Sequence, residues 1–177
     1  MSFWNWATTL GGLVTRLPPP EPLPGPTTLY AAAVLKVATQ NIGRGESLGN
    51  NSGPDLDAYR KGGAGGAWCA AFVSHCLEHG AKGVEMPCPV TRSHRAKKLF
   101  KNALAVGTRV ERPRPGDVVL WHRGAKGAAT GHIGIVSRVE GNAFWSIQGN
   151  KGAFPSKVRE YGSEIGEALL LGFARLP

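Results

Sequence analysis

The chain is short of acidic residues, of cysteine and of long apolar runs, and each shortage excludes something. Only 12 Asp+Glu stand against 21 Lys+Arg, a formal net charge of +9. That surplus suits a polyanionic partner, such as nucleic acid, an anionic membrane face or a cell wall, and carries no information about fold. The three cysteines, Cys69, Cys76 and Cys88, are odd in number and form no disulfide framework. Without a CxxC pair a thiolate zinc site has no basis, and folding in a reducing compartment is expected. No run approaches the length of a membrane span. The opening Met1-Ser2-Phe3-Trp4-Asn5-Trp6 lacks a basic n-region and a small-residue cleavage site, so no Sec signal is expected and the protein is read as made in the cytoplasm. No internal repeat is present.

What is present is the composition of a globular domain. At 177 residues, 42% hydrophobic and 19% charged, the chain fits one domain or one domain plus a tail. Its 25 glycines and 13 prolines argue for turns and loops and against a helix bundle or coiled coil. Residues 1–17 are apolar and aromatic, and residues 18–26 read PPPEPLPGP, a stiff polyproline linker. Residues 1–26 are therefore an N-terminal arm and Pro-rich linker, and 27–177 the folded domain. The arm is either packed on its own domain or an interfacial membrane contact.

Thr27 or Thr28 is placed to cap a helix through Ala31, Val34, Leu35 and Ala38. A long Gly/Asn/Pro-rich loop follows, of the kind that is usually functional in a compact domain. It ends at Trp68. A second helix is expected from Cys69 to Gly80, with Cys69, Phe72, Val73, Cys76 and Leu77 on one apolar arc. The basic segment TRSHRAKKLFK is expected to form a third helix, with Ala96, Leu99 and Phe100 turned inward. After Pro113 the period becomes that of strands: 117–121, 132–139, a turn at Glu140-Gly141-Asn142, 143–148, 157–161 and 169–174. Helices first and an antiparallel sheet second is the α+β pattern.

Cys69 carries the most chemical information. At the first turn of a helix, free amides and the helix dipole stabilise a thiolate. A nucleophilic cysteine needs a base, and the base an orienting group. His132 is the best candidate base, because it begins a strand directly after a glycine-rich stretch. One strand later come Gln148 and Asn150, and either amide oxygen is suited to fix the imidazole tautomer. The order Cys, His, polar amide is that of papain-like enzymes. His122 is a rival base without a visible partner. His75-Cys76-Leu77-Glu78-His79 matches an inverted zincin motif but lacks a third ligand. Asp55 and Asp57 lack the further carboxylates that calcium requires, so no metal is assigned.

The stretches GAWCAAFVSHCLEHG, RPRPGDVVLWHRG and GHIGIVSRVEGNAFWSIQGN together resemble the CHAP and NlpC-type cysteine peptidoglycan hydrolases. The chain is most similar to the compact endolysin-like group of phages and prophages, and the resemblance covers residues 28–177. It implies a papain-like α+β fold, N-terminal helices packed on an antiparallel sheet. It also implies cell-wall lysis by cleavage of an amide bond, either N-acetylmuramoyl-L-alanine or a stem-peptide bond, without a cofactor. Cys69 then matches the family's nucleophile and His132 its base. Gln148 stands where the family has glutamate, so the third member is left between Gln148 and Asn150. Glu46 matches a glutamate common in the group and is expected either to line the groove as a substrate-binding residue or to tie the loop down, and Tyr59 and Trp68 either to border the cleft or to pack beside the helix. Partners implied are peptidoglycan and anionic wall or membrane polymers, acted on after release from the cell, with a monomeric protein and no nucleic acid. The alternatives are a catalytically silent wall-binding module of the same fold and a basic nucleic-acid binder. Against the latter, no aromatics are interleaved with the basic run at 92–101.

Overall fold

A computed structural model describes residues 25–63 and 65–177. Residues 1–24, nearly all of the arm and linker, lie outside the described residues. Among the described residues four helices precede a six-stranded antiparallel sheet.

Helix α1 spans Leu29–Gln40. Thr28 caps it as expected, its hydroxyl accepting from the Ala31 amide at 3.0 Å. The long loop contains a short helix that the sequence reading missed, α2 (Pro54–Arg60). Pro54 supplies the preset φ at its first turn, and Lys61 ends it in the left-handed region. Helix α3 (Cys69–Gly83) starts at the expected residue but does not stop at Gly80. Gly80 lies inside the helix because α1 crosses there. A Cβ on it would fall 2.6 Å from Val34 Cγ2 and 2.8 Å from the Val34 amide. The glycine is thus a close-approach residue, not a stop signal. Helix α4 (Ala96–Val106) begins after His94 and runs past the expected end, burying Ala96, Leu99, Phe100 and Ala103.

The strands are β1 (Thr108–Val110), β2 (Val118–His122), β3 (Gly131–Glu140), β4 (Ala143–Gln148), β5 (Arg159–Glu164) and β6 (Leu170–Arg175). Their spatial order is β1-β6-β2-β3-β4-β5, every neighbour antiparallel. The short strand β1 was not expected, since three residues carry too little alternation to register. The turn between β3 and β4 is the two residues Gly141 and Asn142, with Gly141 at φ +59°.

Alternation gives the sheet two different faces. Val118, Leu120, Ile133, Ile135 and Ile147 join the main core beneath the helices. Val119, Trp121, Val136, Phe144 and Phe173 form a second, smaller cluster. Each fully buried aliphatic or aromatic side chain of this size contributes about 1.5–3 kcal/mol relative to exposure. Asp117, fully buried before β2, is held by Arg175 at 3.1 Å and the Arg114 amide at 2.8 Å. Among the described residues no helix is long and apolar enough to cross a membrane.

Candidate active site

Cys69 is the first residue of α3, and no side chain caps the helix there. The first-turn amides are therefore free to face the sulfur, and the amides of Ile133, Ala70 and Cys69 itself do so. Burial nevertheless pushes the thiol's pKa up, and the Arg123 guanidinium and these amides only partly offset it. The resting group is a neutral thiol, 3% exposed.

The residue before Ile133 is His132, so the β3 backbone that meets Cys69 also carries the imidazole. His132 Nε2 lies 2.9 Å from Gln148 Oε1, and Gln148 Nε2 donates to Ser146 Oγ at 2.7 Å. With its nitrogen committed to Ser146, the Gln148 amide presents its oxygen to the ring. The ring must then carry its proton on Nε2, which leaves Nδ1 as an acceptor. Burial lowers the His132 pKa to about 4; the Gln148 bond opposes this, while Arg123 and Lys151 add to it. No hydrogen bond joins the thiol to the imidazole among the described residues. Such contacts are often long in a ligand-free enzyme and tighten in the complex.

The structure brings Gln148, not Asn150, to His132. Strand β4 ends at Gln148, and Asn150 lies beyond it with its backbone at φ +59° and no hydrogen bond to His132. The backbone oxygen of Asn150 accepts from Arg123 at 3.0 Å instead. Alternation could not continue to Asn150 once the chain left the strand.

Of the two readings of each, cleft lining or a buried structural role, the structure puts Glu46, Tyr59 and Trp68 beneath the surface, at 1%, 1% and 0% exposure. Glu46 accepts from the Trp68 indole at 3.1 Å, the Asn51 amide at 3.0 Å and the Ser156 amide at 2.8 Å. Burial works to raise its pKa, yet these donors and Lys157 hold the carboxyl below the usual range. Glu46 therefore ties the long loop to the residue that precedes Cys69. Tyr59 stacks on Trp68 with ring centroids 5.9 Å apart, and its hydroxyl donates to Asn41 at 2.9 Å. Gly149 packs so closely that a Cβ there would lie 2.2 Å from the Trp68 ring.

Three site residues, Ser146, Arg123 and Lys151, escaped the sequence reading. Ser146 was legible in principle, two positions before Gln148 on one strand face. Arg123 was not, because it follows the end of β2 and reaches the site only through the fold.

The remaining candidates sit elsewhere. His75 and His79 stack on each other at 4.1 Å on the outer side of α3, with Tyr59 packed against His75. Glu78 between them pairs with Lys61 and Arg92. Asp55 accepts from the Gly45 amide at 2.9 Å. Among the described residues no group of three or more His, Cys, Asp or Glu side chains is placed to hold a metal ion. His122 faces Lys97 Nζ at 3.5 Å and the Gly127 amide at 3.3 Å.

No curated protein matches the chain. Among solved structures it is similar to a Staphylococcus aureus subsp. aureus Mu50 protein described as similar to lipoprotein, NLP/P60 family. Identity is 14%, the TM-score 0.46, and the match covers 86% of this chain. The chain spans only 43% of that protein's solved chain. The model of the CHAP domain family matches residues 60–150, about half of the sequence, with Cys69, His132 and Gln148 inside the matched span. The chain belongs to the CHAP domain family.

Proposed function

We propose that this protein hydrolyses an amide bond of peptidoglycan by thiol catalysis, with Cys69 as nucleophile, His132 as base and Gln148 as the residue that orients His132. CHAP domains are peptidoglycan-acting cysteine hydrolases as a family, which supports the reaction class. The observation that carries the assignment within the site is the Ser146–Gln148–His132 chain of hydrogen bonds. It leaves the acceptor nitrogen of His132 free beside the strand residue whose amide faces Cys69.

The reaction begins from a neutral thiol and a neutral imidazole. As Cys69 Sγ attacks the substrate carbonyl, the thiol proton passes to His132 Nδ1. The backbone amide of Cys69 faces the developing oxyanion and supplies part of its stabilisation. The imidazolium then gives its proton to the leaving amine, and the C–N bond breaks. Water attacks the resulting thioester with His132 again as base, releasing the acid and restoring the thiol. The candidate bonds are the N-acetylmuramoyl-L-alanine amide and a stem-peptide bond. Residues 27–177 would form the catalytic domain, acting on the cell wall, with the cationic surface holding it near anionic wall polymers.

Digestion of purified peptidoglycan by the wild type and by Cys69→Ala, with mass spectrometry of the products, tests this reading. Products from the wild type and none from the variant are expected, and the fragment masses name the bond. Equal digestion by both would remove the thiol mechanism. Wall binding without digestion by either would favour the silent binding module.

A further inference from the structure

The His132 side of the site opens on a cavity of about 470 Å³, and its charges are unbalanced. Arg123 and Lys151 both line it, from the end of β2 and from the segment after β4. The Arg123 guanidinium uses one N–H on the Asn150 backbone oxygen, 3.0 Å away. It has no carboxylate partner among the described residues, so its other donors remain available. Lys151 Nζ lies over the Tyr161 ring, 4.3 Å from its centroid, and likewise forms no ion pair among the described residues. The one acidic residue on the cavity, Glu167, is committed to the indole N–H of Trp121. His122, also on the wall, faces Lys97 and the Gly127 amide. Two cations are thus held beside His132 and Gln148, Arg123 without a carboxylate partner among the described residues and Lys151 only partly offset by the charge of Glu167, with which it forms no ion pair.

We propose that this cavity is a carboxylate-binding subsite, in which Arg123 and Lys151 hold a free carboxylate of the substrate next to the scissile amide. The inference rests on the peptidoglycan reading and narrows it to an acidic stem peptide. A guanidinium is suited to the task, since its planar fork matches a carboxylate and binds it by charge-assisted hydrogen bonds. Within peptidoglycan, the α-carboxylate of the D-glutamyl residue is the free acid nearest the muramoyl–alanine amide and the bonds of the second stem residue. Where a wall carries that group as the carboxamide, the subsite loses its ligand.

The same carboxylate also answers a problem in the mechanism. His132 must become imidazolium during the reaction, yet its orienting partner is an uncharged amide and its charged neighbours, Arg123 and Lys151, are cations. A substrate carboxylate placed between those cations offsets their field when the proton reaches Nδ1. The negative charge that Gln148 lacks then arrives with the substrate, and binding a correct substrate makes the base stronger.

The test uses the full chain and two muramoyl stem peptides, one with the D-glutamyl α-carboxylate free and one with it amidated. Calorimetry on the Cys69→Ala protein should show the free acid binding about 10–100-fold tighter, the range of one charge-assisted hydrogen bond. Adding Arg123→Gln should collapse that ratio toward one, and Arg123→Lys, which keeps the charge, should restore part of it. Lys151→Gln should lower the ratio independently, which guards against a fold defect in the arginine variant. Equal affinity of the Cys69→Ala protein for both peptides would overturn the subsite. In the wild type, the acid limb of kcat should lie above that of kcat/KM for the free acid and coincide with it for the carboxamide. Coincidence for both would overturn the charge-supply role. A folded wild type that binds with the expected preference but cleaves neither peptide would refute the hydrolase reading and support the subsite.

Discussion

Replacing Gln148 by glutamate puts a carboxylate against His132 and tests how this site handles protons. The wild-type contact is His132 Nε2 to Gln148 Oε1 at 2.9 Å, and the amide nitrogen is anchored on Ser146 Oγ at 2.7 Å. Glutamate keeps the shape. Its first oxygen accepts from His132, and Ser146 rotates its hydroxyl to donate to the second, so neither polar atom is stranded. An opposite charge at this range raises a histidine's pKa by roughly 1–3 pH units. The His132 value, about 4 in the wild type, should therefore move to the ordinary histidine range. The wild type should keep kcat/KM on an uncharged substrate flat down to about pH 5, because His132 remains neutral there. The variant should lose activity progressively below neutrality. The assays are the pH profile of kcat/KM and direct titration of the His132 ring by NMR. A folded variant whose acid limb and ring titration match the wild type would show that Gln148 does not govern His132, and the proposed arrangement would fall.

Other outcomes follow from the same geometry. The wild type should lose stability as pH falls from about 6.5 toward 4, by up to about 3 kcal/mol from His132, because the unfolded chain binds a proton there and the folded one does not; unchanged denaturation midpoints across that window would contradict a buried neutral imidazole. Glu46→Ala leaves the Trp68 indole and the Asn51 and Ser156 amides without their acceptor, at roughly 1–3 kcal/mol for each buried donor, and urea unfolding should show a combined loss of several kcal/mol. Gly149→Ala drives a methyl into the Trp68 ring and should lower both melting temperature and kcat, whereas the same change at Gly141, where nothing lies within 4 Å, should leave kcat intact. Deleting residues 1–26 should leave activity on solubilised peptidoglycan unchanged and reduce association with anionic vesicles, measured by co-sedimentation.

The sequence was legible where local physics decides the outcome. A threonine before an apolar helical stripe marked the start of α1, and a cysteine after a glycine-rich loop marked that of α3. Alternation located β2, β3 and β4, and with them His132 and Gln148. It failed where a distant segment decides. Gly80 looks like a stop until α1 is laid across it. Glu46 reads equally as a groove residue or a loop tie until Ser156, 110 positions away, closes over it. Asn150 and Gln148 have the same side-chain chemistry, and only the end of β4 separates them. Arg123 carries no pattern of its own, since its meaning lies in what β3 and the segment after β4 place beside it.

The strand order β1-β6-β2 has a consequence for when the protein becomes active. The last strand of the sheet does not add to an edge; it inserts between two strands made some fifty to sixty residues earlier. Until Leu170–Arg175 arrives, β1 has no neighbour and β2 has one bare edge, while Asp117 lacks the arginine that neutralises it. Pairings this distant close late in folding. A chain still being synthesised therefore carries Cys69 and His132 on an unfinished scaffold, and truncation before residue 170 should abolish activity without touching a reacting group. The topology makes the arrival of Leu170–Arg175 a condition for a finished site, so that the proposed activity would be delayed until β6 is in place.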